Sequence, residues 1–289
     1  MSEQYDVKVL RKLQLCELEI FKDFARICDE NGLMYFGFSG TGIGAVRHGG
    51  FIPWDDDIDV AMPRTDYEKL IKIIDSEFKE KYTFVNAERF SDFPVMNAHL
   101  ILNNSKFITS EEIKAHYPRG IFLDIFPLDN VPTDKKMREK QNRKAWFLSK
   151  LLIVKHIPFP HLPLKGIKAK VVHSITAVAW FFLNVFHITH KYLYNLCLKE
   201  CTKFNDEETG IISFLCDTGV NTCVYEINKL LPLRKMKFED VEMNFPNNLE
   251  ETLVSLYGDY MQIPPESERR NHRPDILEFP ENLTEQTEE

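Results

Sequence analysis

Residues 54–60 read Trp54-Asp55-Asp56-Asp57-Ile58-Asp59-Val60, which places four aspartates within five positions of a 289-residue chain. Carboxylates this close repel one another, and a bound proton or a divalent cation relieves the repulsion. The residues that follow, through Met62, are apolar, so the segment is not a solvated acidic tail. The pattern predicts a short strand that enters a core with its charges held on one side.

Side chains alternate between the two faces of a strand, which divides these aspartates into two groups. Residues two apart in a strand face the same side, so Asp57 and Asp59 can reach one or two Mg²⁺ ions together, with Mn²⁺ as an alternative metal. Asp55 shares their parity if the strand begins that early. Asp56 would point away, and we interpret it as a supporting or dispensable residue. We therefore predict an acidic, metal-binding strand from Asp57 to Met62, and an acidic loop tip is the alternative.

A glycine-rich segment precedes this strand. Ser39-Gly40-Thr41-Gly42 predicts a tight turn, and its glycines, together with Gly44, would let backbone N–H groups approach an anion closely. Arg47 and His48 close the segment and could contact phosphate. As isolated residues, either would also fit an ordinary surface position.

One further aspartate lies in an apolar run. Residues 121–126, Ile-Phe-Leu-Asp-Ile-Phe, predict a strand that ends at Pro127, and an unpaired charge inside it would be costly. Asp124 is therefore either the third acid of the metal site or a residue held by structural hydrogen bonds, and we favour the first. Asp129 follows in a position typical of a turn or a helix cap.

The flanking pattern alternates helices and strands. Apolar residues recur at helical spacing from about 9 to 31, with Gly32 as a stop, and a second helix begins at Pro63-Arg64. Strand-like runs lie at Tyr35–Phe38, 82–85, 95–102 and 106–109. From about 134 the chain becomes helical. The fold class predicted is α/β (α+β), with a mixed sheet and a helical C-terminal part.

Two segments of this helical part are unusual. Lys135 to Lys150 is strongly basic, which fits a solvated helix face as well as an anionic membrane or substrate surface. A stiff break at Pro158, Pro160 and Pro163 follows. Val171 to Ile188 then contains no Asp, Glu, Lys or Arg, and its length is at the threshold for a membrane span. Its histidines and other polar residues favour a buried core helix or an interfacial helix instead.

Bulk composition narrows the class of protein. A chain with 44% hydrophobic residues and 28% charged residues can build a globular core, and its net charge of −8 argues against a nucleic-acid partner. The six cysteines and an N-terminus without a signal peptide indicate a reducing, cytoplasmic setting. Cys197, Cys201, Cys216 and Cys223 lack the paired spacing of structural zinc sites, which favours ordinary, partly buried thiols.

Several longer motifs resemble the LicD family, whose core has the nucleotidyltransferase fold. They are Gly40-Thr41, Gly44 to His48, Gly50 to Asp59, Met62-Pro63-Arg64, Asp124 to Asp129, Pro232 to Lys235, Phe245 to Asn248, Leu256 to Met261 and Pro264-Pro265-Glu266. The similarity leaves out the segment from about 135 to 225. One departure is Gly42, where the family has a larger apolar residue.

The resemblance implies one LicD-type domain over residues 1–289. Its parts would be a nucleotidyltransferase-like core at about 9–130, a helical and membrane-facing acceptor region at about 134–230, a donor-phosphate region at about 231–280 and a disordered tail at 281–289. It also implies transfer of phosphocholine from CDP-choline to a sugar hydroxyl of a lipid-linked glycan, such as a teichoic acid or lipopolysaccharide precursor. The protein would then be cytoplasmic, or peripheral on the inner face of the membrane.

By the same resemblance, Asp57 and Asp59 are metal ligands, and Asp124 is the third ligand and the general base. The basic cluster at 269–273 would help to hold the donor, unless it is a solvated loop. The donor-binding residues expected are Gly40, Thr41, Gly44, Arg47, His48, Arg270 and His272. Two alternatives remain: transfer of ribitol, glycerol or ethanolamine phosphate, and a membrane-associated binding protein without catalysis.

Overall fold

The computed structural model describes residues 5–160 and 166–281, and it has the expected α/β class. Pro163 and the tail from 282 lie outside the described residues. The helices are α1 (Val7–Asn31), α2 (Ser39–His48), α3 (Arg64–Ile73), α4 (Lys135–His156), α5 (Gly166–Val185), α6 (His190–Cys201), α7 (Ile227–Leu230) and α8 (Leu249–Tyr257). The strands are β1 (Phe36–Gly37), β2 (Asp59–Pro63), β3 (Tyr82–Val85), β4 (Ala98–Leu102), β5 (Lys106–Ile108), β6 (Phe122–Asn130), β7 (Ile211–Ser213), β8 (Val224–Glu226), β9 (Arg234–Phe238), β10 (Val241–Phe245) and β11 (Ile276–Glu278).

A mixed, seven-stranded sheet organises the molecule. Its order is β1-β2-β6-β4-β3, and β7 and β8 continue from the far end of β6. The pair β2 and β6 is parallel and the other pairs are antiparallel. The register sets Asp59 opposite Asp124, and Asp124 opposite His99. Three polar residues therefore form a row across the three central strands.

Both faces of the sheet are covered, and strand alternation decides which residues meet which cover. Val60 and Met62 point into a core that includes apolar residues of α1 and α8, whereas Ala61 points into a second core that includes residues of α4 and α6. Burial on both faces explains why β2 is apolar after its first residue.

The first helix ends at the predicted residue and begins two residues earlier than predicted. Asp6 caps α1 by accepting hydrogen bonds from the backbone N–H groups of Lys8 and Val9. Gly32 ends the helix in the left-handed conformation, at a φ of 63°.

The predicted tight turn at Ser39–Gly42 is wrong, because these residues form the first turn of α2. Glycine disfavours helices in isolation, but here the helix backbone packs where side chains would not fit. A Cβ on Gly42 would lie 3.0 Å from Leu249, and a Cβ on Gly44 would overlap the carbonyl oxygen of Gly50. Tertiary packing therefore outweighs the local preference.

Two strand boundaries also differ from the prediction. β2 begins at Asp59 rather than at Asp57, which lies in the preceding loop. β6 does not end at Pro127 but continues to Asn130. On one edge, β6 pairs with β4 as far as Ile125 and with β7 from Asp129 onward. Pro127 lies between these two pairings, so neither partner needs the N–H that proline lacks.

Three further expectations for the rest of the chain need correction. Asp129 is a buried strand residue, not a turn or a cap, and its carboxylate accepts two hydrogen bonds from Arg64, at 2.7 and 2.9 Å. The last third contributes the five strands β7 to β11 as well as short helices. α5 is not a buried core helix: it is long and apolar enough to cross a membrane by length and composition, and 6% of that stretch is buried.

Candidate active site

Three carboxylates meet at the amino-terminal end of β2. Oxygen atoms of Asp57, Asp59 and Asp124 all lie within 4.8 Å of one another. Asp57 comes from the loop before β2, Asp59 begins the strand, and Asp124 lies beside it on β6. The sheet register thus brings together the three acids that the sequence singled out.

Backbone hydrogen bonds hold Asp59 in position. Its N–H donates to Thr41 Oγ1 at 2.8 Å, and its carbonyl accepts from the N–H of Phe38 at 3.0 Å. Thr41 therefore supports the acidic strand with its hydroxyl, and the donor contact expected of it stays a prediction.

Burial and the proximity of the acids raise the pKa values of two of them. Burial, followed by the charges of Asp57 and Asp124, raises the pKa of Asp59 well above its usual range. Burial raises the pKa of Asp57 to about 6, in spite of the opposing effect of His272. The three converging carboxylates are a donor set that suits Mg²⁺, which prefers hard oxygen ligands.

Asp124 has partners that the sequence did not reveal. Asn97 Nδ2 donates to its Oδ1 at 2.6 Å, and His99 Nε2 lies 3.2 Å from the same oxygen. The imidazole of His99 stacks on Phe122, with ring centroids 4.0 Å apart. The sequence shows a histidine within an apolar strand. That this histidine lies next to Asp124 follows only from the strand register.

Asp56 does not point away from all three acids, because its carboxylate, that of Asp57 and a ring nitrogen of His272 lie within 4.8 Å of one another. Its environment does not fit a dispensable residue either. It is 2% exposed and accepts a hydrogen bond from the hydroxyl of Tyr5 at 2.7 Å. The backbone N–H of His272 lies 2.9 Å from both oxygens of Asp56. Asp56 therefore fastens the C-terminal segment beside the acidic loop.

This anchor places the His272 ring at the site. Its Nδ1 lies 3.4 Å from Asp56 and 3.5 Å from Asp57. The hydrogen bond with Asp56 raises the pKa of His272 to about 10, against the effect of burial, and the negative charges of Asp57 and Asp55 add to the shift. His272 is therefore a cation next to the acid cluster at neutral pH.

Two polar residues of α1 complete the surroundings. Gln14 donates to the backbone carbonyl of Asp55 at 2.9 Å. Glu17 is 1% exposed, and burial together with the charges of Asp57 and Asp56 raises its pKa well above its usual range. Both residues occupy buried positions on the apolar face of α1, a signal that the sequence analysis missed.

A cavity of about 530 Å³ opens beside the acids. Asp57, Asp124 and His272 line it, and so do His156 and Ile157, where α4 ends. It offers room for a substrate between the acid cluster and the helical part of the chain.

Comparisons with known proteins show what the chain resembles. Residues 32–171 match the LicD/FKTN/FKRP nucleotidyltransferase domain. The chain is also 29% identical, over 276 residues, to the lipopolysaccharide cholinephosphotransferase LicD of Haemophilus influenzae, a match that covers 91% of this chain and 95% of the relative. The chain is therefore similar to the LicD family over most of its length. An uncharacterised protein of Rickettsia prowazekii is 30% identical over 128 residues, which cover 42% of this chain and 48% of that protein.

The structure separates the donor-binding residues expected from the LicD resemblance. Gly40 lies against the acidic loop, since a Cβ there would be 3.1 Å from Asp55 Oδ2. Arg47 lies at the other end of α2, where it donates to His48 at 2.9 Å and to the carbonyl of Tyr260 at 2.5 Å. Arg270 is exposed and has no ion pair with any residue in the described ranges. Of the expected cations, His272 is the one placed against the acids.

Three cysteines of the chain also come together, although their spacing did not indicate it. The sulfur of Cys216 lies 3.6 Å from that of Cys197 and 3.5 Å from that of Cys201. All three residues are buried, and contacts among the thiols, together with burial, keep the pKa of each above its usual value. The thiols are therefore protonated at neutral pH.

Proposed function

We propose that this LicD-type transferase moves phosphocholine from CDP-choline to a sugar hydroxyl of a cell-surface glycan, a lipopolysaccharide or teichoic acid precursor. The observation that carries the proposal is the convergence of Asp57, Asp59 and Asp124 within 4.8 Å. The relative that matches nearly the whole chain, named as a lipopolysaccharide cholinephosphotransferase, supports the choice of cargo. The acceptor would be lipid-linked, and the enzyme would work in the cytoplasm at the inner face of the membrane.

Asp57, Asp59 and Asp124 would hold Mg²⁺, or Mn²⁺ in its place. When bound, such a metal would neutralise charge on the phosphate and on the oxygens that attack and leave. Raised pKa values such as those of Asp57 and Asp59 are expected of clustered metal-binding carboxylates in the absence of the metal.

Asp124 would take the proton of the acceptor hydroxyl. Asn97 and His99 both contact its Oδ1, and within the described chain no hydrogen bond engages Oδ2. As the hydroxyl oxygen bonds to the choline-bearing phosphorus, its proton passes to Oδ2 of Asp124. The bond between that phosphorus and the CMP oxygen breaks, and CMP leaves with the electron pair.

His272 supplies positive charge on the same side. Its ring reaches Asp57 at 3.5 Å, so a phosphate bound beside Asp57 would lie within reach of its N–H. An imidazolium in that place would offset charge on the departing CMP.

Donor turnover tests the proposal. The full-length protein would be incubated with Mg²⁺, glycan precursor and, in separate reactions, CDP-choline, CDP-ribitol, CDP-glycerol or CDP-ethanolamine, and CMP release would be measured. We expect CDP-choline to be the best donor. A preference for another CDP-alcohol would reassign the cargo, and failure of all four donors would refute the proposal.

Matched variants connect the reaction to the acids. Asp57→Asn and Asp59→Asn should each abolish turnover while leaving the fold intact, because each variant removes a proposed metal ligand. Asp75→Asn, which alters an exposed carboxylate that pairs with Arg89, should leave turnover unchanged. Wild-type activity in either site variant would contradict the mechanism.

A further inference from the structure

Helix α5 carries an apolar stripe that faces solvent. The stripe residues recur every three or four positions, and each is at least 50% exposed: Ile167, Val171, Ile175, Val178, Phe182 and Val185. Phe181 and Phe186 extend the same surface at 56% and 67% exposure. A continuous apolar patch of this kind marks a surface that contacts something other than water.

The charge around the stripe is strongly one-sided. Of the 36 basic and 44 acidic residues of the chain, twelve basic residues and one acidic residue, Glu139, fall between positions 135 and 191. Lys168 and Lys170 are exposed on α5 itself, and Lys136, Lys140 and Arg143 are exposed on α4. A basic border around an apolar helix is complementary to an anionic lipid surface.

Three uncharged polar side chains of α5 make hydrogen bonds within the protein. Ser174 donates to the carbonyl of Lys170, Thr176 to that of His173 and Asn184 to that of Trp180. The side-chain oxygen of Asn184 accepts from Lys155 at 2.8 Å. Such a helix can enter an apolar medium without leaving these groups unpaired.

Contacts at its middle and at its C-terminal end hold α5 against the body of the protein. His173 Nε2 lies 3.2 Å from the carbonyl oxygen of Pro160, and Leu183 is buried. A helix attached along its side presents its stripe parallel to a surface, rather than standing free across a bilayer. Two copies that met through this stripe would also bring their basic borders together, and these would repel each other.

We propose that α5, bordered by the basic residues of α4 and α5, is a docking surface for an anionic lipid bilayer, with the helix lying flat at the headgroup level. The surface would orient the molecule with this face on the bilayer. The cavity beside Asp57 and Asp124 reaches His156 and Ile157 at the end of α4, so it extends from the acid cluster toward the docking helices. Docking is a binding property, and it stands or falls independently of the proposed reaction.

Vesicle sedimentation without donor tests the docking surface. The full-length protein would be mixed with vesicles of phosphatidylcholine alone or with added phosphatidylglycerol. We expect strong binding to the anionic vesicles, and on the order of tenfold or more weaker binding for the triple variant Val171→Ser, Ile175→Ser and Phe182→Ser. Lys168→Gln with Lys170→Gln should weaken binding by a similar factor.

Matched controls remove equal numbers of exposed groups elsewhere. Val7→Ser, Val254→Ser and Ile276→Ser change apolar residues that are 81%, 57% and 42% exposed, and Lys8→Gln with Lys72→Gln neutralises two exposed lysines. These variants should bind vesicles as the wild type does. Unchanged thermal melting of all variants would show that their folds are intact.

Other occupants of the stripe would give different results. Wild-type vesicle binding by the triple α5 variant would overturn the proposal. The wild type could instead form a dimer without lipid and fail to bind vesicles. If the triple variant were then monomeric, the stripe would be an interface between two copies of the chain. Resistance to alkaline extraction from vesicles would indicate a spanning helix.

The fluorescence of Trp180 measures how deep the helix lies in the bilayer. Lipids brominated near the headgroup should quench this fluorescence more than lipids brominated at the end of the acyl chain. Trp180→Phe should remove that signal.

Discussion

At the residue scale, Asp57 would link pH and stability to the proposed binding of a metal. Its pKa is raised to about 6 in the fold because burial disfavours its charge, whereas an unfolded aspartate titrates near its usual value. The folded protein therefore binds more protons between about pH 4 and pH 6. Ionisation of Asp57 should cost the metal-free protein on the order of 3 kcal/mol of stability as pH rises through this window. The raised pKa of Asp59 should extend the decline to higher pH.

The measurement is the free energy of unfolding in chelator at several pH values. The decline should be smaller in Asp57→Asn, which has no charge to lose or gain there. Added Mg²⁺ should stabilise the wild type much more at pH 7.5 than at pH 5, because a metal binds the ionised carboxylates. Equal stabilisation at both pH values would contradict the assignment.

His99 is a second prediction at this scale. It contacts Asp124 Oδ1 and stacks on Phe122, so it positions the proposed base rather than touching the reacting atoms. His99→Phe would keep an aromatic ring but lose the donor, and kcat should fall about tenfold to a hundredfold with little change in the KM for CDP-choline. His99→Gln, which retains a donor, should recover part of the loss.

The contrary outcome for His99 is equally specific. If His99→Phe raised KM and left kcat unchanged, the residue would serve substrate binding rather than Asp124. Thermal melting would show whether a loss in kcat instead reflects damage to the fold.

The sequence could identify Asp57, Asp59 and Asp124, because charge in an apolar run is visible in one dimension. It could not assign Asn97 or His99 to Asp124, because that neighbourhood exists only through strand register. Asp56 shows the same limit, since its partners Tyr5 and His272 lie 51 and 216 positions away along the chain. Such partners follow from topology rather than from local pattern.

At the element scale, α2 shows why a glycine-rich stretch was mistaken for a turn. Its glycines adopt a helix because small residues let it approach the loop at Gly50 and the side chains of α8. Gly44→Ala would place a Cβ against the carbonyl oxygen of Gly50. We expect a loss of about 1–3 kcal/mol in the free energy of unfolding, as for overpacking in other cores.

Gly49 provides the matched control for this prediction. It ends α2 at a φ of 69°, and a Cβ there would meet nothing within 4 Å. Asparagine tolerates this conformation, so Gly49→Asn should change stability by less than about 1 kcal/mol. Similar losses in both variants, measured by denaturant unfolding, would argue against the close approach at Gly44.

α5 illustrates a different limit of prediction at this scale. Its composition identified an apolar helix correctly, but a helix buried in a core and a helix exposed on a surface share that composition. The exposed stripe from Ile167 to Val185 distinguishes them, because the packing of α4 and α6 leaves that side uncovered. The length and hydropathy of a helix do not show which other elements pack against it.

At the scale of the whole molecule, the net charge of −8 conceals a separation of charge. The segment from 135 to 191 is strongly basic and the remainder is acidic. An anionic bilayer would attract one side and repel the other, so electrostatics would orient the protein before α5 makes contact. Exposed charges act on each other over about 10 Å at 0.1 M salt and over much less at higher salt.

Salt should therefore separate the two contributions to docking. Raising salt from about 0.1 M to about 0.5 M should weaken binding to phosphatidylglycerol vesicles by roughly tenfold, and it should affect Lys168→Gln with Lys170→Gln less than the wild type. The unfolding free energy should hardly change over the same range, because the exposed ion pairs contribute little to it. Vesicle sedimentation and denaturant unfolding at both salt concentrations measure these quantities. Binding that is indifferent to salt while still lost in the α5 triple variant would assign docking to the apolar stripe alone and remove the basic border from the mechanism.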